Sequence, residues 1–173
     1  MNHRNLKREE KTVVNRALNR WGAFEFLRDK VLMVRDDSDG SMQVCLVSHR
    51  QQQVIWQAAP CFAGLVIGEL KKGFTPSMAG ADLFARVGNR SEHYIVVGED
   101  AEKLVLYGRD VMGDSIAEYA TTLGENELVI ILNGRHEAIG IGRTRFAGKG
   151  IAQKGRITVT TLMDAGSYLR DEG

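Results

Sequence analysis

Residues 140–168 read GIGRTRFAGKGIAQKGRITVTTLMDAGSY, and the reading of this stretch decides the fold of the C-terminal half. Gly140 and Gly142 close an apolar region that begins with Leu128-Val129-Ile130-Ile131-Leu132. A segment carrying Arg143, Arg145, Lys149, Lys154 and Arg156, and no acid, comes next. Ile157, Val159 and Leu162 then alternate with threonines, the pattern of a strand half-buried on one face. A basic, glycine-punctuated loop between two strands suits an anion. Spacing alone leaves phosphate contact and simple solvation both open.

The glycines themselves are no nucleotide fingerprint. Gly140-Ile141-Gly142 ends a strand and opens no helix, and the third glycine is missing. Close backbone approach or a bulge explains the pair better. Gly148-Lys149-Gly150 lacks the Lys-Ser/Thr ending of a phosphate loop.

Composition restricts the function. The chain has 173 residues, enough for one large or two small domains with real cores. Its 23 basic and 22 acidic residues nearly cancel, so a polyanion would have to meet a local patch. Cys45 and Cys61 sit in apolar contexts without metal-ligand spacing, and buried free thiols are expected. His3, His49, His93 and His136 are scattered, no serine sits in a nucleophile elbow, and nothing selects a catalytic group or a cofactor. The apolar runs are too short for a membrane span, and MNHRNLKREEK at the start lacks a signal peptide's hydrophobic segment. A soluble intracellular protein is the expectation.

Outward from the basic stretch, the chain reads as two textures. Residues 6–21 form an amphipathic helix with Val14, Ala17, Leu18 and Trp21 on one face, ended by Gly22. Arg8, Lys11, Arg16 and Arg20, mainly on the other face, read as a solvated face with phosphate contact as the alternative. Val31–Val34 and Val44–Val47 flank an acidic turn at residues 36–40, a hairpin rather than a calcium loop. A third strand is predicted at Val54-Ile55-Trp56, another apolar run at 65–70, a break at Gly73–Pro76, a short helix at 81–87 and a linker at 88–91. Beyond it come short strands at Tyr94–Val97, Leu104–Tyr107, 128–132, 138–142 and 157–162, a small, nearly closed barrel. Arg109 and Asp110 read either as a functional pair or with Asp110 capping a helix. Phe146 and Tyr107 can each stack a base or pack at an edge.

Leu106-Tyr107-Gly108-Arg109-Asp110-Val111, then Gly140-x-Gly142, Lys154-Gly155 before a strand, and Asp164-x-Gly166-x-Tyr168-Leu169-Arg170 resemble a PUA domain, a small RNA-binding pseudo-barrel. With a short N-terminal domain and no catalytic domain, the chain resembles the Nip-seven family of ribosome-biogenesis factors. The resemblance implies an α+β chain: an N-terminal α/β domain over about residues 1–90, then a PUA-type mixed β pseudo-barrel over 91–173. It implies a monomeric RNA binder, not an enzyme, that needs no cofactor and no metal. Archaeal members prefer uridine-rich single strands, and the family assists pre-rRNA processing for the large ribosomal subunit, with links to the exosome and other assembly factors. The family's basic RNA face corresponds here to Arg143, Arg145, Phe146, Lys149, Lys154 and Arg156. Eukaryotic relatives carry fewer charges there. The rival reading is a protein-binding adaptor of the pre-ribosome or exosome, with RNA contact incidental.

Overall fold

Alternating apolar residues on two neighbouring strands set up the first half of the molecule. The structure is a computed structural model that describes residues 2–37, 40–88 and 93–170. It divides into two units, Met1–Asn89 and Arg90–Gly173. The acidic turn at Ser38-Asp39 and most of the expected linker, 89–91, lie outside the described residues.

The first unit runs β1 (Asn2–Asn5), α1 (Arg8–Arg20), α2 (Phe24–Leu27), β2 (Val31–Asp36), β3 (Met42–Val47), α3 (His49–Ala58), β4 (Leu65–Leu70), β5 (Phe74–Pro76) and α4 (Met78–Val87). Its five strands pair in sequence order, every pair antiparallel. Strand alternation puts Val34 and Val44 on one face and Met33 and Cys45 on the other. Ile55 of α3 joins Met33, Cys45 and Val47 in one buried cluster. Elsewhere Trp21, at the end of α1, stacks on Phe84 of α4 at 5.8 Å and tilts against Phe74 of β5 at 6.2 Å. Gly22 takes a positive φ of 67° immediately after α1, where a side chain would be strained.

Several sequence expectations need correction in this half. Val54-Ile55-Trp56 is helix α3 and not a strand. Ser48 caps it: Gln51 N donates to Ser48 Oγ at 3.2 Å and Ser48 N to Gln51 Oε1 at 2.8 Å. A three-residue apolar run carries no period of its own, so the cap decides. The break at Gly73–Pro76 holds the edge strand β5, where Pro76 needs no ladder donor. Cys45 is buried as expected, but Cys61 is exposed.

The second unit comprises β6 (Tyr94–Val97), α5 (Glu99–Leu106), β7 (Val111–Met112), a 3-10 turn at Gly113–Ser115, β8 (Ile116–Tyr119), β9 (Leu128–Leu132), β10 (Ala138–Thr144), a second 3-10 turn at Gly148–Ala152, β11 (Ile157–Asp164) and α6 (Ser167–Arg170). The sheet order is β7-β11-β10-β9-β6-β8, and only the β6–β9 pair is parallel. Its two edge strands, β7 and β8, are joined by the single turn Gly113–Ser115. A flat six-stranded sheet would hold its edges about 24 Å apart. Four Cα steps from Met112 to Ile116 reach at most about 14 Å. The sheet therefore curls into a nearly closed pseudo-barrel, filled by Ile95, Val97, Val105, Val111, Val129, Ile131, Ile151 and Val159.

Leu104–Tyr107 is the end of helix α5, not a strand. Glu99, Asp100 and Glu102 lie in its first turn, where carboxylates favour the helix dipole, and Ala101 and Val105 are buried one turn apart. Tyr107 is 72 % exposed, which rules out the edge-packing alternative. Asp110 caps no helix, because a strand follows it.

Candidate nucleic-acid interface

The basic stretch begins in β10 and ends at β11. These strands pair with Arg143 opposite Thr160 and Thr144 opposite Val159, and Arg145 N donates to Thr158 O at 2.8 Å. A Cβ on Gly142 would fall 2.6 Å from Val159 Cγ1 and 3.0 Å from Thr160 O. Close approach is thus why the Gly140-x-Gly142 pair is glycine, and a bulge lies between Ile141 and Gly142.

Arg143 lies in β10 and Arg145 just past its end, and both line one cleft. Both are engaged by the protein. Arg143 Nη1 donates to Asn126 O at 2.8 Å. Arg145 Nε donates to Thr160 Oγ1 at 2.7 Å, and its Nη2 lies 3.3 Å from Asp110 Oδ2. Asp110 Oδ1 in turn accepts from Thr161 N at 3.0 Å, so this carboxylate ties the approach to β7 onto β11 and orients Arg145. The two arginines, Thr160 and Leu162 line a shallow cleft of about 260 Å³, with Glu125 at its edge.

The remaining three cations behave differently. After Thr144 the chain leaves the sheet and is pinned at four places. Gly148 N donates to Leu123 O at 2.8 Å, Ile151 is wholly buried in the core, Gly155 N donates to Asp114 Oδ1 at 2.6 Å, and Arg156 O accepts from Gly113 N at 2.9 Å. From this fixed backbone Lys149, Lys154 and Arg156 extend, all exposed, and among the described residues none of them makes an ion pair. Phe146 is half-buried at the start of the loop, its ring centroid 5.9 Å from the Arg156 guanidinium carbon.

The structure thus brings Arg143 and Arg145 together in one cleft at the end of β10, and Phe146 and Arg156 together at the loop's base. Lys149 and Lys154 stand on the loop itself. Sequence reading misses Asp110, Asn126 and Thr160 as the groups that hold the arginines. No motif announces them, because register and bulge position decide which residues meet. It also overstates the free charge, since Asp110 arrives from 35 residues away to pair with Arg145. Among the described residues, no three His, Cys, Asp or Glu side chains converge as for a metal ion. No described helix is long and apolar enough to cross a membrane.

Known proteins resemble both halves. Residues 3–78 match the NIP7/UPF0113 pre-PUA domain, and residues 93–173 match the UPF0113 PUA domain. A UPF0113 protein of Archaeoglobus fulgidus is 32% identical over 166 residues, covering 95% of this chain and 92% of the relative. One from Aeropyrum pernix is 35% identical over 112 residues, or 64% of this chain and 58% of the relative. Among solved structures, a conserved PUA domain protein from Thermoplasma acidophilum superimposes with a TM-score of 0.71 at 14% identity, over 98% of both chains. A hypothetical protein from Pyrococcus horikoshii gives 0.70 at 15% identity, again over 98% of both. These two likenesses concern the fold, whereas the family models and the Archaeoglobus relative concern descent. The chain belongs to the NIP7/UPF0113 family, with the pre-PUA and PUA domains in the family's order.

Proposed function

We propose that the protein binds single-stranded RNA, with a preference for uridine-rich segments, through the connection between β10 and β11, and that it serves pre-rRNA processing for the large ribosomal subunit. The observation that carries this reading is the pinned loop with its three exposed cations, Lys149, Lys154 and Arg156, free of acidic partners among the described residues. A fixed backbone presents charge without the ordering cost that a flexible loop would have to meet on binding. Family membership supports an RNA-binding role in ribosome biogenesis, and the PUA domain supports RNA as the partner.

In this reading the residues divide the work. Lys149, Lys154 and Arg156 neutralise phosphates, a contribution that is salt-sensitive and indifferent to sequence. Arg143 and Arg145, held by Asn126, Thr160 and Asp110, shape the strand-side wall of the path. Phe146 offers a ring on which a base stacks, and stacking is where preference among single strands begins. RNA is bound and released unchanged, in the cytoplasm or the nucleolus according to the source. The test is crosslinking in cells followed by sequencing of the bound RNA. Large-subunit rRNA precursors should dominate. A set dominated by unrelated transcripts refutes the ribosomal role.

One observation favours the adaptor reading as a second function. Residues 51–68 contain no charged side chain, yet within and beside α3 they expose Val54 at 50%, Trp56 at 54% and Phe62 at 70%. Exposed apolar surface of this kind marks a protein partner, such as an exosome subunit or another assembly factor. A Phe62→Asp substitution should release that partner and leave RNA affinity unchanged. Loss of RNA affinity with the partner retained sinks this second reading.

A further inference from the structure

The first unit contains a cleft of about 380 Å³. It opens between α1, α2 and the adjoining ends of β1 and β2. Three cations line it, Lys11, Arg28 and Lys30, and among the described residues no carboxylate does. The neighbouring acids already have cationic partners, and two of them neutralise Arg28, which leaves Lys11 and Lys30 as the cleft's free cations among the described residues. Glu10 and Asp36 are both held by Arg4, at 2.7 Å and 2.9 Å. Glu25 and Asp29 lie 3.1 Å and 3.7 Å from Arg28. Lys11 and Lys30 are exposed and make no ion pair among the described residues, although Lys30 Nζ sits 5.2 Å from the Phe26 ring.

Below the cations the cleft changes character. Leu18 and Leu27, both fully buried, form an apolar floor, with Phe24 half-buried beside them. Asn5 and Asn15 line it as well. A carboxamide offers a donor and an acceptor side by side, the pairing that a base edge presents. Ammonium groups suit a phosphate, and an apolar floor with an aromatic ring suits the flat face of a base. The volume falls at the lower end of the roughly 300–1,000 Å³ range of small-ligand sites, the end that suits a single nucleotide. We infer that this cleft is a second RNA contact, which holds one nucleotide of a single strand with its phosphate on Lys11 and Lys30 and its base over Phe24.

The inference rests on the protein being an RNA binder, and its test separates the two sites. Isotopically labelled full-length protein is titrated with uridine monophosphate, then with a uridine-rich oligonucleotide, and NMR follows the backbone amides and the Asn side-chain amides. Uridine monophosphate should shift the Asn5 and Asn15 side-chain signals and the Phe24 amide. Lys11→Ala with Lys30→Ala should weaken that binding by at least about tenfold, whereas Lys71→Ala with Lys72→Ala, a charge-matched change at two exposed lysines outside both sites, should leave it unchanged. The oligonucleotide should displace the mononucleotide and shift both sites. Shifts confined to the loop overturn the cleft assignment while the RNA function stands. Shifts confined to the cleft keep the assignment and remove the loop as the RNA face. Equal response to inorganic phosphate makes the cleft a phosphate site and overturns the nucleotide. Failure of the oligonucleotide to displace the mononucleotide overturns the claim that the nucleotide belongs to a strand.

Discussion

Replacing Lys149, Lys154 and Arg156 together by alanine tests the loop most directly. Each projects from a pinned backbone without an acidic partner among the described residues, so each is available to release about one counterion from RNA. For a single strand each lost contact flattens the plot of log affinity against log salt by about 0.7, so the triple variant should lose about 2.1. Between about 50 and about 200 mM salt the logarithm changes by about 0.6, and wild type should therefore lose about 20-fold more affinity than the variant over that range. Arg143 and Arg145 should behave differently, because their guanidinium groups already serve Asn126 O, Thr160 Oγ1 and Asp110. Arg145→Ala should move the slope by less than about 0.7. Phe146→Ala should cost about 1–3 kcal/mol of affinity with the slope nearly unchanged. The assay is fluorescence anisotropy of a labelled uridine-rich oligonucleotide at several salt concentrations, with circular dichroism as the check on folding. A triple variant with the wild-type slope removes the loop as the interface. A larger slope change from Arg145→Ala than from the triple variant refutes the division between held and free cations.

Three further outcomes follow from the packing. Gly80→Ala would put a Cβ 1.9 Å from Ile67 O, a backbone atom that cannot step aside without moving β4 from α4, and should cost more than about 3 kcal/mol in urea unfolding; a loss under about 1 kcal/mol means the two elements are not this close. Ile151→Ala removes the side chain that anchors the basic loop in the core and should cost about 2–4 kcal/mol, with faster trypsin cleavage at Lys149 and Lys154; unchanged cleavage rates separate loop order from that anchor. His3, buried beside the Arg35 guanidinium, is held below its ordinary pKa of 6.5, first by burial and then by that charge. The unfolded chain then takes up a proton that the folded one resists, so His3's contribution is complete above pH 6.5 and falls as pH drops towards its folded value. Glu10, held below the carboxylate norm of 4.5 chiefly by its hydrogen bond from Arg4, adds a second loss in still more acid solution, as pH falls through its folded value. Both tryptophans, Trp21 and Trp56, lie in the first unit, so their fluorescence reports its urea midpoint. That midpoint should fall from about pH 7 to about pH 5 in wild type and less in His3→Gln, and an equal fall in both refutes the assignment.

What was legible in the sequence follows a physical line. Leu128–Leu132 is a five-residue wholly buried run, long enough to read as a central strand without help from its neighbours. The α1 face is legible because Val14, Leu18 and Trp21 repeat at the helical period over about two turns. Val54-Ile55-Trp56 and Leu104–Tyr107 are not, because a short apolar run has the same appearance in a strand and a helix. The residues that settle them lie outside the run: Ser48 and Gln51 for α3, and the acidic first turn for α5. Among the site residues, chemical type is legible and availability is not. Arg145 and Lys154 look alike along the chain, yet Asp110 comes from 35 residues away to meet the first, while no acid among the described residues meets the second.

That difference in availability also accounts for how a chain with a net charge of +1 can present a cationic face. Two acids that meet the basic stretch are spent on holding it in place rather than on cancelling its outermost charges. Asp110 engages Arg145 and the Thr161 amide, and Asp114 engages the Gly155 amide beside Lys154. Asp114 therefore acts on the backbone next to a lysine and not on the lysine itself. Removing that carboxylate would free the loop while adding positive charge to the surface. Tighter RNA binding by Asp114→Ala would mean charge governs affinity, and weaker binding would mean loop order does. The pinned geometry argues for the second: the screened attraction of one exposed charge is small, whereas ordering several loop residues on binding costs about 1–2 kcal/mol each.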